Sequence, residues 1–331
     1  MDLTVIWAII IAVAVAMYVF MDGFDLGIGI LFPQFPVGRE RDQAMNAIAP
    51  VWDGNETWLV MGGGGLLAAF PLAYAIVLPA LYAPLIAMLL GLVFRGVAFE
   101  FRWRDEGHRK FWDAGFFFGS LVATLAQGIT LGALLQGIHI EGRAYAGGWW
   151  DWLTPFSLLT GLSLTVAYAL LGATWLIWKT EGALHDRVRR MASWLFPAFL
   201  ILVGAVSLAT PYLEQQYYAR WFEMPGLMVT ALMPFLFGGV ALVGWEGVRR
   251  GRDFLAFVCT LVLFALTLVG LGISIWPDVI PGRVTIWEAA APPASQIFML
   301  IGAVVLIPLI LAYTAWSYWV FRGKVGEDGY H

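Results

Sequence analysis

The chain is poor in cysteine: Cys259 is the one such residue in 331. Set in the apolar run FLAFVCTLVLFALTLVGLGI, it excludes disulfides within the chain and thiolate-held metal or iron–sulfur sites, and reads as a small core residue. Histidine is nearly as scarce, with His108, His139, His185 and His331 in loops, at helix ends or at the C-terminus. No facing pair stands at mid-membrane depth, which argues against a haem held by two axial histidines in this chain. Charged residues make up 13%, against about a quarter in soluble domains. The net charge of −4 gives no hint of nucleic acid. The first apolar run lacks a basic flank before it and a small-residue cleavage site before its aspartates, so it is read as a retained helix, not a signal peptide.

What is abundant is apolar. Hydrophobic residues make up 60% of the chain, mean hydropathy is +0.78, and 17 tryptophans and 11 tyrosines suit repeated crossings of a bilayer interface. A crossing takes about 20 mainly apolar residues. Windows of that size predict nine transmembrane helices, over 3–32, 54–74, 77–100, 113–135, 154–178, 193–211, 226–247, 254–275 and 295–321. The class is an all-α polytopic membrane protein. Linkers are short and marked by proline and glycine, so residues 1–331 are expected to form one membrane domain. Two four-helix units plus a ninth helix fit the count, although no internal repeat is evident.

Basic residues in short loops mark the cytoplasmic side. Fifteen of the 19 follow helices 1, 3, 5, 7 and 9; Arg143, Arg220 and Arg283 lie in the opposite loops, and Arg95 falls inside helix 3. The expectation is an N-terminus outside and a C-terminus in the cytoplasm.

An ionised group deep in a span costs about 3 kcal/mol on insertion scales, so each needs a reason. Helix 1 carries Asp22 and Asp25, helix 2 opens with Asp53 and Glu56 in VWDGNETWLV, helix 3 carries Arg95 and Glu100, and Asp113 opens helix 4. In the predicted topology all lie toward the cytoplasmic ends of helices 1 to 4. Residues three apart share a helix face, so Asp22 with Asp25, and Asp53 with Glu56, present carboxyl pairs. Such pairs in a poor dielectric resist both ionising and can hold and pass a proton. Arg95 is the counter-charge, with a partner expected on helix 1 or 2 because Glu100, five residues on, is off its face. The plain alternative is that Asp53, Glu100 and Asp113, near helix ends, cap a first turn or rest in headgroup water.

MGGGGLLAAF (Met61–Phe70) has no lysine or serine of a phosphate loop and is read as small residues letting helices approach closely. NET at Asn55–Thr57 matches a glycosylation sequon but falls on the cytoplasmic side, hence by chance. Residue chemistry leaves two classes. One is a proton-coupled membrane transporter; the other is a haem-free subunit of a respiratory complex. Acids near one mouth, unmirrored in the second half, favour the subunit.

DGFDLGIG in helix 1, IAPVWDGNETWLV entering helix 2, FRGVAFEFR, FWDAGFFFGS, LLQG and LIPLILAYTAWSYWVFRGK follow one another from residue 22 to about 324. With them the chain resembles subunit II of cytochrome bd-type quinol oxidases, including the cyanide-insensitive branch. The resemblance implies nine helices as two four-helix bundles plus a peripheral helix, in the bacterial plasma (inner) membrane. It implies a haem-bearing subunit I as partner, with haem b and haem d or b-type haems only, and leaves room for a small third subunit. The implied reaction is quinol oxidation coupled to four-electron reduction of oxygen to water. No haem, metal or catalytic residue is expected in this chain; a bound quinone would have no assignable residues. Asp53 and Glu100 match acids of a hydrophilic path toward haem d, with Asp common in relatives where Glu100 stands. Glu56 and Asp113 join them as proton-path candidates, and Asp22, Asp25 and Arg95 are expected to hold the packing and its water or to relay protons.

Overall fold

The computed structural model describes residues 2–325. Helix α1 (Leu3–Leu31) is N-capped by the Asp2 carboxylate, which accepts from the Thr4 amide at 2.9 Å. The short polar α2 (Arg39–Asn46) joins it to α3 (Trp52–Ala69). Next come α4 (Pro71–Ala80), α5 (Tyr82–Arg104) and α6 (Arg109–Leu135). A two-stranded hairpin, β1 (Ile140–Glu141) with β2 (Ala144–Tyr145), leads to α7 (Pro155–Lys179), which starts with Pro155 behind a Thr154–Ser157 capping box. Helices α8 (Gly182–Ala209), α9 (Gln215–Phe222), α10 (Leu227–Thr230) and α11 (Leu232–Arg250) follow. Gly251 ends α11 in the left-handed region at φ +69°. Helix α12 (Asp253–Ile275), a second hairpin of β3 (Asp278–Ile280) and β4 (Val284–Thr285), α13 (Ile286–Ala289) and α14 (Pro293–Val320) complete the chain.

Among the described residues, seven helices are long and apolar enough to cross a membrane: α1, α5, α6, α7, α8, α12 and α14. The bent pair α3–α4 makes up to eight. Two expected spans are thereby corrected. The window 54–74 breaks at Phe70, where α3 and α4 meet at 119°, and 77–100 starts only at Tyr82. Pro71 has no N–H to bond the Leu67 carbonyl and continue α3, and two residues on the Ala69 carbonyl accepts from the Ala291 amide at 2.8 Å. The window 226–247 holds α10 and α11; α11 carries Glu246, Arg249 and Arg250 at its end and falls outside the seven.

Helix α1 packs on α3, α6 and α7, and α5 on α6; α7, α8, α11 and α12 close a second group, and α14 lies against α1 and α3. Three crossings are backbone to backbone, one of them α6 on α7, where a Cβ on Gly128 would stand 2.7 Å from the Gly161 Cα. A Cβ on Gly27 of α1 would stand 1.8 Å from the Tyr168 carbonyl oxygen, and one on Gly172 of α7 would stand 2.6 Å from the Gly27 carbonyl carbon. Gly91 of α5 and Gly119 of α6 face each other's carbonyl oxygens in the same way. Phe24 stacks on Trp175 beside the α1–α7 crossing, with centroids 4.2 Å apart. The glycine run does in part what its composition suggests. Gly65 and Gly62 touch Ile11 and Val15 of α1, but Gly63 and Gly64 point where no atom lies within 4 Å.

Candidate functional site

Arg95 is the centre of a buried polar cluster. Its side chain is 2% exposed, and its guanidinium donates to Asp22 Oδ1 of α1 at 2.5 Å and Glu56 Oε2 of α3 at 2.8 Å. A buried charge persists where a partner and hydrogen bonds compensate it. One turn along α1, the buried Asp25 carboxylate accepts from Asn55 Nδ2 at 2.8 Å. Asn55 Oδ1 in turn accepts from the Tyr318 hydroxyl of α14 at 2.8 Å. The cluster thus joins four helices. Two carboxyl groups pair with the guanidinium and Asp25 lies one turn beyond; Asp22 Oδ2, Asp25 Oδ1 and the Tyr18 hydroxyl are buried with no hydrogen-bond partner among the described residues. Chemically it can accept further hydrogen bonds and shift a proton between neighbouring carboxyls.

A second cluster lies further along α5. Arg102 donates through Nε to Asp113 Oδ1 at 2.5 Å and pairs with Asp42 at 2.7 Å. Arg41 donates to Asp113 Oδ2 at 2.6 Å and to the Phe35 carbonyl at 2.9 Å. Both guanidinium groups lie over the Phe32 ring, at 5.3 and 5.6 Å. Asp113 is therefore held by two arginines and fastens α2 to α5 and α6. At the turn beyond, Asp105 accepts from Trp112 Nε1 at 3.1 Å and meets His108 Nδ1 at 3.0 Å, contacts that hold its carboxyl below the usual range.

Asp53 and Glu100 join neither cluster. Both are exposed and flank the contact between Trp52 of α3 and Phe99 of α5, whose rings are 5.1 Å apart. Around them the surface is apolar: Val60 on α3 and Val93, Phe94, Val97 and Phe101 on α5 are exposed. Asn55, Tyr318, Arg41, Asp42 and Arg102 were not picked out as site residues from sequence. Local signals were limited to Asn55 in WDGNET, Arg102 at the end of FRGVAFEFR and Tyr318 in LIPLILAYTAWSYWVFRGK.

No group of three or more metal-ligating side chains occurs among the described residues. His108 and His139 are exposed, His185 contacts Asp186 and Asp253, and His331 lies outside the described residues.

The model of the family described as cytochrome bd terminal oxidase subunit II matches residues 3–321. The chain belongs to this family. It is 32% identical to the cytochrome bd-I ubiquinol oxidase subunit 2 of Escherichia coli (strain K12), with 98% of this chain and 95% of the relative covered. It is 31% identical to the cytochrome bd ubiquinol oxidase subunit 2 of Bacillus subtilis (strain 168), covering 97% and 96%. A chain in the structure of the bd oxidase from Geobacillus thermodenitrificans superposes with a TM-score of 0.79 over 98% of this chain and all of that one, at 18% identity, a likeness of fold. As a subunit II of this family with seven or more apolar helices, the chain is a multi-pass bacterial inner-membrane protein of an oxidoreductase complex built with a subunit I.

Proposed function

We propose that this chain is the haem-free subunit II of a terminal quinol oxidase. It supports quinol oxidation and the four-electron reduction of oxygen to water by a subunit I carrying haem b and haem d, or b-type haems alone. Its contributions are complex stability and a cytoplasmic proton-uptake path. The topology that goes with this has nine spans in one membrane domain over residues 1–331, with the N-terminus outside and the C-terminus in the cytoplasm; the alternating basic loops support it.

The observation that carries the path is the placement of Asp53 and Glu100. Two exposed carboxylates beside an apolar surface of a membrane chain call for a polar or protein neighbour, and a partner subunit seated on α3 and α5 supplies one. The flat surface at Gly63 and Gly64 continues that face and suits close helix approach. In this reading Asp53 and Glu100 carry protons along the interface. Glu56, 27% exposed, lies between them and the buried carboxyls, and Asp113 anchors the cytoplasmic mouth. Asp22, Asp25 and Arg95 hold the helices together and contribute sites for water.

Asp53→Asn in the purified complex is expected to slow oxygen consumption at least several-fold while the haem spectrum stays unchanged. Unaltered turnover in an intact complex would remove Asp53 from the path.

A further inference from the structure

At the corner where α4 turns into α5, the surface forms a cavity of about 150 Å³ against the segment between the first hairpin and α7. Tyr82, Tyr145, Trp149 and Trp152 wall it, with Gly147 and Gly148 leaving room between them. It lies at the opposite end of α5 from Arg102, about 30 Å away at 1.5 Å per residue, and so at the other membrane surface from the ion-pair clusters.

The chemistry of the walls is selective. Aromatic faces attract cations. Asp151, outside the lining itself, is held against it, its Oδ2 accepting from the Gly148 amide at 2.8 Å and the Tyr145 hydroxyl at 3.0 Å, both lining residues. No lysine or arginine lines the cavity. An anionic headgroup would meet the carboxylate without a compensating charge. A flat ring would need a slot, whereas the Tyr82 and Trp149 planes are inclined at 55° with centroids 6.4 Å apart. The buried indole N–H of Trp152 has no protein acceptor, and a phosphate or ester oxygen would provide one. Directly beneath, Ile86, Leu89 and Leu90 form an exposed apolar stripe along α5 that continues from Tyr82.

We propose that this corner binds an aminophospholipid, its ammonium group within the aromatic walls against Asp151 and one acyl chain along the α5 stripe. The residues touch neither ion-pair cluster and lie outside the proposed proton path. Failure of one reading therefore leaves the other standing.

The test is native mass spectrometry of the delipidated oxidase complex titrated with phosphatidylethanolamine or phosphatidylglycerol. Wild type is expected to retain one phosphatidylethanolamine that Trp149→Ala and Asp151→Asn each bind about tenfold more weakly, the scale of one cation–π or charge contact. The haem spectrum of both variants reports that the complex is intact. Equal retention by wild type and variants, equal retention of phosphatidylglycerol, or a retained quinone at this corner would each overturn the assignment.

Discussion

Replacing Gly27 by alanine tests the α1–α7 crossing on which the buried cluster rests. The added Cβ would lie 1.8 Å from the Tyr168 carbonyl oxygen and 2.9 Å from the Gly172 amide nitrogen, both backbone atoms that no rotamer change can move. An ordinary carbon–oxygen separation is about 3.3 Å, so α1 must retreat from α7 by about 1.5 Å at that point. A gap of that size forfeits much of the dispersion energy along the interface, beginning with the Phe24–Trp175 stack. Overpacking of this kind costs about 1–3 kcal/mol. The control is Gly204→Ala on α8, where nothing lies within 4 Å; there the better helix propensity of alanine should contribute about 0.5–1 kcal/mol. Thermal unfolding of the purified complex, followed by light scattering or fluorescence-detected gel filtration, should show a midpoint several degrees lower for Gly27→Ala and unchanged or raised for Gly204→Ala. Equal shifts of the two variants would refute the crossing as a point of close packing.

Arg95→Gln removes the counter-charge of Asp22 and Glu56 and should destabilise the chain by about 3–5 kcal/mol, seen as loss of assembled complex; adding Asp22→Asn should recover most of the yield. Tyr318→Phe strands Asn55 Oδ1 and should cost about 1 kcal/mol, read as faster amide exchange in α14 with little change elsewhere. The Asp105 turn has a pH sign that follows from its lowered carboxyl pKa. Its contribution is present above the ordinary carboxylate pKa and is lost as pH falls through the lowered one, so exchange protection of residues 105–109, corrected for intrinsic rate, should fall only on strong acidification.

Much of the helical frame was legible because hydropathy is a local property. The windows 113–135, 154–178 and 254–275 correspond to helices at 109–135, 155–179 and 253–275. The break at Phe70 was not, since an average over residues hides a missing Pro71 N–H, and the group that takes the Ala69 carbonyl is more than 200 residues away. Arg95 announced itself by its cost in an apolar helix. Asp113 looked like a helix cap because Arg41, one of its partners, comes from the short helix α2, 72 residues earlier, which sequence spacing cannot bring near. The glycine run drew attention by composition. The glycines that set helix distance, Gly27, Gly91, Gly119, Gly128 and Gly172, are single residues whose role appears only once the helices are placed side by side.

The Asn55 amide has a direction. Its nitrogen points to Asp25 and its oxygen to Tyr318, so the order of donors runs from the peripheral helix α14 inward to α1. If the Asp25 oxygen facing Asn55 gained a proton, the amide would have to turn over to accept it, and the Tyr318 hydroxyl would then have to rotate from donor to acceptor. The outermost helix is thus wired to the protonation of a carboxyl at the centre of the bundle, through one rotatable amide and one rotatable hydroxyl.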